Sequence, residues 1–567
     1  MNRNQRRIVL KQPAADLQAE SLARAGQHQR RGEWGAALHQ YKKILALNPD
    51  HAAACEALAQ IYLTQGKLDK ASQHFALLAR IMPQTLSPFP AVLDTLKRLH
   101  PALATALVEP SRAMSADDFT AIANDPYLLT VLTSTVVRDH ALERWLTAVR
   151  TVMLGGTMDD TADVSSARLP FFAALAQQSF INEYVFAETP EETAHVRTLV
   201  TLLTDALGRG LPIDPMRLIA LAAYFPLHAL PDAQALLQRQ WPDAVGAVLY
   251  QQVREPQLER EFGRAMPHLT PISDGVTAEV RQQYEENPYP RWVRLAAPPE
   301  IKLILDDHLR HQFPVAPFRP TGARDTIDIL IAGCGTGRNA LEVAQGFHGA
   351  RVLAVDLSRA SLGNARRHMP PSLSETIAFA QADILALGSL DRRFDMIVVS
   401  GVLHHMADPL AGWRELIKLM KPNGLMQVGL YSAHARQGIN AARKMIAERG
   451  YPSTPDGIRR CRQDLRNGPE QFDFMQWDDF FSISACRDLL FHVHEQQFTV
   501  PEIKEFLAQN GLNFVGFEFT PQDAHLHYRS VFARNGWSLS DLDRWDTFER
   551  ENPKLFVAMY IFWVQKA

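Results

Sequence analysis

Asp-Ile-Leu-Ile-Ala-Gly-Cys-Gly-Thr-Gly-Arg-Asn, residues 328–339, is the stretch around which the chain is organised. Four residues with strand character run into Gly333, Gly335 and Gly337, and Ala340, Leu341, Val343 and Ala344 follow at helical spacing. The reading is strand, glycine turn, helix. Glycines suit such a turn because a ligand can approach the backbone more closely than a Cβ allows, and because the turn visits positive φ. Free N–H groups at the helix start then face that ligand.

The residues downstream keep the spacing such a site needs. Residues 351–358 read as a buried strand ending in Asp356, nineteen residues after Gly337. An acid at the tip of the second strand of a doubly wound sheet is placed to hold ribose hydroxyls. A third strand, residues 376–380, leads to Ala382-Asp383-Ile384, where Asp383 is placed to accept from an adenine amino group. The fourth, residues 394–400, precedes Gly401-Val402-Leu403-His404-His405-Met406, and Lys421-Pro422-Asn423-Gly424 announces a fifth that runs through Leu425 to Tyr431.

In these residues the chain resembles the class I S-adenosylmethionine-dependent methyltransferases. The resemblance implies a Rossmann-like α/β domain of seven strands, the seventh antiparallel, matched here by residues 555–564 with 514–519 as the sixth. It implies S-adenosyl-L-methionine as cofactor, with Gly333, Gly335 and Gly337 cradling its methionine end, Asp356 its ribose, and Asp383 with Ile384 its adenine. Cys334, Leu357 and Ser400 complete that cofactor set. A nicotinamide dehydrogenase or an inactive Rossmann domain is the alternative; the loop lacks the Gly-x-Gly-x-x-Gly spacing of the former.

A chain of 567 residues predicts three to four domains. With 62 acids against 59 bases there is no global argument for a nucleic-acid or membrane partner. Cys55, Cys334, Cys461 and Cys486 form no Cys-x-x-Cys pair, so neither a zinc knuckle nor a disulfide framework is indicated, and no metal is expected. Residues 1–10 carry three arginines but no apolar core of signal length, and no later run approaches a membrane span; the expectation is a cytoplasmic protein.

At the N-terminus, Gly32, Trp34, Ala37, Tyr41, Ile44 and Pro49 align with Gly66, Leu68, Ala71, Phe75, Leu78 and Pro83 at a constant offset of 34. That is the tetratricopeptide period. The repeats are assigned to residues 16–84, with flanking helices as caps. The resemblance implies a face that binds a protein or peptide; a spacer that packs on its own chain is the other reading. Residues 83–90 read as a linker, and residues 91–267 as an all-helical middle domain in which Asn182-Glu183-Tyr184 is either a polar site or, the preferred reading, a solvated helix face.

Residues 276–300 form a lid or linker ahead of the catalytic domain, residues 301–567. Asn287-Pro288-Tyr289-Pro290-Arg291-Trp292 ends a helix there, and Tyr284, Tyr289, Arg291 and Trp292 are candidates to cover the pocket, or else form an elbow between domains. His404 and His405 follow the fourth strand, where an imidazole could take a proton from an acceptor; His405 is preferred, with Tyr284 the third catalytic candidate. An inserted lid, residues 432–497, carries eight bases and three acids between Arg436 and Arg466, then the acids Glu470, Asp473, Asp478 and Asp479 among aromatics. Tyr431, Arg459, Arg460 and those aromatics are expected to recognise the acceptor, unless the charges pair internally. Three functions stay open: methylation of a protein or peptide presented by the repeats, methylation of a small molecule with the repeats serving assembly, and a non-enzymatic adaptor that binds the cofactor.

Overall fold

The computed structural model describes residues 3–109, 114–157, 168–272, 275–299, 301–469, 471–519, 522–557 and 559–566. By its internal contacts the chain forms two compact units, Met1–Arg254 with Trp292–Ala297, and Glu255–Arg291 with Pro298–Ala567.

Among its described residues the first unit is helical. Its opening helix runs Arg3–Arg30 and is followed by Trp34–Leu47, Ala52–Thr64 and Leu68–Ile81. Gly32 and Gly66 take positive φ at the corresponding turns, and the repeat positions Ala37 and Ala71, Tyr41 and Phe75 are all buried, so the 34-residue offset is an offset in packing. The helix Pro126–Ser134 docks on the second repeat: the Tyr127 N–H donates to Ser72 Oγ at 3.1 Å, and its ring lies 5.5 Å from that of Phe75. Residues 83–90 are not an open linker. Leu86 and Phe89 are buried, and a new helix, Phe89–Leu99, begins inside the segment. Nor is Asn182-Glu183-Tyr184 a solvated face: the helix Leu169–Ile181 ends before it, Asn182 is buried, and Glu183 and Tyr184 turn through positive φ.

The second unit is built on a seven-stranded sheet: β1 Ile327–Ala332, β2 Ala350–Asp356, β3 Ile377–Gln381, β4 Phe394–Ser400, β5 Met420–Leu430, β6 Leu512–Glu518 and β7 Tyr560–Lys566. The order is β3-β2-β1-β4-β5-β7-β6, with β7 antiparallel to both neighbours. The last strand starts at Tyr560 rather than near 555, because the preceding residues turn to bury Phe556 against Phe517 and Phe519. Strand order reverses between β1 and β4, and in open α/β sheets that switch point opens a crevice at the carboxyl ends of the strands.

The boundary near residue 267 moves. The helix Glu255–Arg264 belongs to this second unit, packed on the helix Arg359–His368. A Cβ at Gly363 would lie 2.2 Å from the Glu259 carbonyl oxygen and one at Gly263 2.8 Å from that of Arg359, so the two glycines let the backbones touch. Arg367 then reaches both Glu255, at 3.0 Å, and Glu259, at 2.7 Å.

The insert contains the helices Gln437–Arg449, Pro455–Asn467 and Ile483–Leu490. Glu470 lies outside the described residues. Phe474, Phe480 and Phe481 are buried as the insert's own core rather than offered to an acceptor, since a short apolar cap needs aromatics to enclose it. Under the sheet, Trp413 is buried and stacks on Phe506 at 4.2 Å. Trp413→Ala should destabilise the catalytic unit by about 3–5 kcal/mol, read as a lower denaturation midpoint for the transition that unfolds the sheet.

Candidate active site

Gly333, Gly335 and Gly337 all take positive φ. The space they leave is used three ways: a Cβ would meet Val402 at Gly333, the Tyr289 carbonyl oxygen at Gly335, and Ala365 at Gly337. The first N–H groups of the loop are engaged internally, those of Gly333 and Cys334 donating to the Val355 carbonyl at 2.8 and 2.9 Å. Gly335 N–H donates to Asp356 Oδ2 at 2.7 Å, and Ser358 N–H to Asp356 Oδ1 at 2.9 Å. Burial pushes the Asp356 carboxyl up to about 6 although these backbone donors pull it down, and Glu285 adds to the rise. Asp383 caps the short turn Ile384–Leu387 by accepting from Leu385 N–H at 3.0 Å, and its own N–H donates to Thr270 Oγ1 at 2.8 Å.

The helix Val276–Glu286 and the residues after it form a strap over this loop. Thr336 Oγ1 donates to the Pro290 carbonyl at 2.6 Å, and Ser358 Oγ to the Tyr284 carbonyl at 3.0 Å. The Glu285 carboxylate accepts from Arg359 N–H and Ala360 N–H at 2.7 and 2.9 Å, which places an anion at the start of the helix Arg359–His368. Further along, the strap's phenols reach the insert: Tyr284 Oη donates to Asp488 Oδ1 at 2.6 Å and Tyr289 Oη to Asp479 Oδ1 at 2.9 Å. For Tyr284 and Tyr289 the arrangement is that of a lid.

A cavity of about 320 Å³ lies between these parts. Gly333, Cys334, Gly335, Asp356, Leu357, Asp383, Ile384 and Ser400 line it, and so do Tyr284, Tyr289, His405 and Tyr431. Gly337 is a buttress against Ala365, and His404 lies behind, its ring 3.8 Å from that of Tyr431 and tilted by 30°. Arg291 is turned toward Glu255 and His368, while Trp292 counts with the helical unit. Arg459 pairs with Asp456 and Arg460 is exposed on its helix; neither lines the cavity. The basic run of the insert is largely satisfied at home: Arg436 and Arg443 both bind Glu495, and Arg462 donates to the Phe480 carbonyl.

Asp488, Ser361, Met406 and Met559 also line the cavity and escaped the sequence reading. A signal existed for Asp488, an acid inside the otherwise apolar helix Ile483–Leu490, every residue of which is buried. Burial holds His405 down at about 4 and His492 at about 3, so both rings are neutral at physiological pH. A ring nitrogen of each and a carboxylate oxygen of Asp488 lie within 4.8 Å of one another, a grouping the expectation of no metal did not foresee. Their hydrogen bonds describe another arrangement. His492 Nδ1 accepts from His494 N–H at 3.1 Å, which puts the proton on Nε2, 3.2 Å from Tyr284 Oη. The two rings are stacked, 3.6 Å apart and 16° from parallel, so their lone pairs do not converge on one ion.

S-adenosylmethionine fits the residues present. The Ser361 hydroxyl is buried at the cavity wall with no hydrogen-bond partner among the described residues, two carboxylates stand where nucleoside donors would need acceptors, and Arg338 and Asn339 at the helix start face the same space.

A doubly wound seven-stranded sheet with one antiparallel strand, a glycine loop and acids after β2 and β3 is the architecture of a class I methyltransferase domain. Residues 330–426 match the family model described as a methyltransferase domain, and residues 29–89 one described as a tetratricopeptide repeat. The chain therefore joins tetratricopeptide repeats to a class I methyltransferase domain. Among curated relatives, an uncharacterized protein of Synechococcus sp. is 27% identical over 271 residues, 45% of this chain and 62% of the relative. A ubiquinone biosynthesis O-methyltransferase of Alkalilimnicola ehrlichii is 34% identical over 97 residues, 17% of this chain and 38% of that one. A demethylmenaquinone methyltransferase of Clavibacter sepedonicus is 26% identical over 155 residues, 26% and 61%. The chain thus spans less than two thirds of each of these relatives. Among solved structures, PKMT2 from Rickettsia typhi in complex with AdoHcy aligns at a TM-score of 0.35 and 18% identity, covering 47% of this chain and 54% of that one.

Two outcomes follow from the geometry. Gly335→Ala should displace the strap and weaken binding of S-adenosylhomocysteine at least tenfold by calorimetry, with the circular-dichroism spectrum unchanged. Because Asp356 ionises near pH 6 in the free protein and a ribose hydroxyl donates best to the ionised carboxylate, affinity should rise as pH increases through about 6 and level off above. Asp356→Asn should flatten that profile.

Proposed function

We propose that the protein is an S-adenosylmethionine-dependent methyltransferase of the cytoplasm, whose acceptor is a protein or peptide presented by its repeats. The observation that carries the enzyme reading is the meeting of the glycine loop, Asp356 and Asp383 around one cavity roofed by the strap. Bound there, the cofactor supplies a methyl group on a positively charged sulfur that leaves without acid assistance. What remains for the chain is to orient, to enclose and to handle one proton. Asp356 and Asp383 orient the nucleoside; Tyr284, Tyr289, Met406 and Met559 shield the space from water. His405 donates Nδ1–H to the His494 carbonyl at 2.9 Å, so Nε2 keeps its lone pair and can accept a hydrogen from the acceptor.

The cavity is at the low end of ligand-site volumes, which favours an acceptor that inserts only a slender side chain beside the cofactor. The repeat match supports a polypeptide as what carries that side chain. A small-molecule acceptor is the second reading, favoured by the quinone methyltransferases among the relatives. A reducing compartment suits four free, buried cysteines, and no helix among the described residues is long and apolar enough to cross a membrane.

Incubation of the full chain with methyl-labelled cofactor and cell lysate should put label into macromolecules, and Asp356→Ala should lower that incorporation more than tenfold. Label confined to small molecules would support the second reading; unchanged cofactor affinity in Asp356→Ala would reject the site.

A further inference from the structure

Among the described residues, three hydrogen-bond acceptors on the acceptor side of the cavity find no donor. Asp488 uses Oδ1 for Tyr284, and no described residue donates to its Oδ2. His405 has its proton on Nδ1, leaving Nε2 bare. Tyr431 is clasped by Arg436, 3.6 Å from its ring centroid, and by His404, and its hydroxyl makes no hydrogen bond with the described residues. All three side chains line the cavity.

Beside them, Arg436 and Arg443 are both bonded to Glu495. Asp479 and Asp488 have phenols for partners, and Asp479 is held up at about 6 by burial and by Asp488.

From this wall we infer that the group methylated is a primary amine, an inference that rests on the methyltransferase reading above. An amine arrives as an ammonium with three N–H donors, for Asp488, His405 and Tyr431; once one proton has passed to His405 Nε2 and on to solvent, a lone pair faces the methyl carbon. An alcohol has a single donor, and a carboxylate would meet Asp488 as a like charge. In the transfer, the nitrogen lone pair forms the new N–C bond while the C–S pair returns to sulfur. The nitrogen becomes a secondary ammonium beside Asp488, and its surplus proton leaves through His405 Nε2 or Asp488 to solvent.

The test uses the full chain saturated with S-adenosylhomocysteine and three probes of one length, n-butylamine, n-butanol and butyrate, followed by ligand-observed NMR with EDTA present. Butylamine should bind at least tenfold better than the other two. Asp488→Asn and Tyr431→Phe should each reduce that preference severalfold while S-adenosylhomocysteine affinity stays within threefold, which shows the variants are folded. Equal binding of the three probes, or a preference that survives both substitutions, overturns the amine assignment. So does a preference seen only after zinc is restored, which would give the cluster to a metal. Failure of S-adenosylhomocysteine to bind the unaltered chain is distinguishable, because it removes the methyltransferase reading and the inference with it.

Discussion

One absent carbon atom lets the strap close onto the glycine loop. At Gly335 a Cβ would stand 2.7 Å from the Tyr289 carbonyl oxygen, and because none is there the strap can cross the loop after β1 in contact. Everything the strap then does depends on that crossing. Its carbonyls are clasped by Thr336 and Ser358, its Glu285 caps the helix after β2, and its two phenols reach Asp488 and Asp479 in the insert. The same short segment that roofs the glycine-loop end of the cavity thereby sets the position of Asp488 in its wall. A shift at the glycine loop is felt at both ends of the cavity.

The insert solves a problem of buried charge. Arg436 and Glu495 are almost wholly enclosed, and an isolated ion in that place would cost several kcal/mol. Arg443 joins the pair, and Arg436 adds its face to the Tyr431 ring, so each charge finds a partner. The arrangement contributes less to net stability than to register: it fixes where the chain after β5 returns to the sheet, and so where Asp488 stands.

The sheet was legible because each of its signals is local. Apolar runs bounded by glycine, an acid at the tip of β2 and a cap after β3 can be read within a few residues. What the sequence hid is contact across long separations. Tyr284 and Asp488 are 204 positions apart, and nothing near either announces the other. The arginines of the insert showed a net charge but not their partners, which is why Arg459 and Arg460 looked like recognition residues. The unit boundary was hidden for a third reason. Helical backbone continues through Asp243–Leu249, Tyr250–Arg254 and Glu255–Arg264, and the lone Pro256 beside the boundary sits in the first turn of the last of these without breaking the run.

Two adjacent histidines show how far residue type alone falls short of role. His404 and His405 follow the same strand, yet one carbonyl separates them. His405 gives its Nδ1 proton to the His494 carbonyl and presents a lone pair to the cavity, whereas His404 is enclosed behind Tyr431 and does not line the cavity. Burial keeps both neutral at physiological pH. The groups drawn toward neutrality at this cavity are instead the carboxyls of Asp356 and, behind Tyr289, Asp479, both near 6. Such a site suits an electrophile that brings its own leaving group, because it has acceptors for a departing proton and no imidazolium to repel a cation.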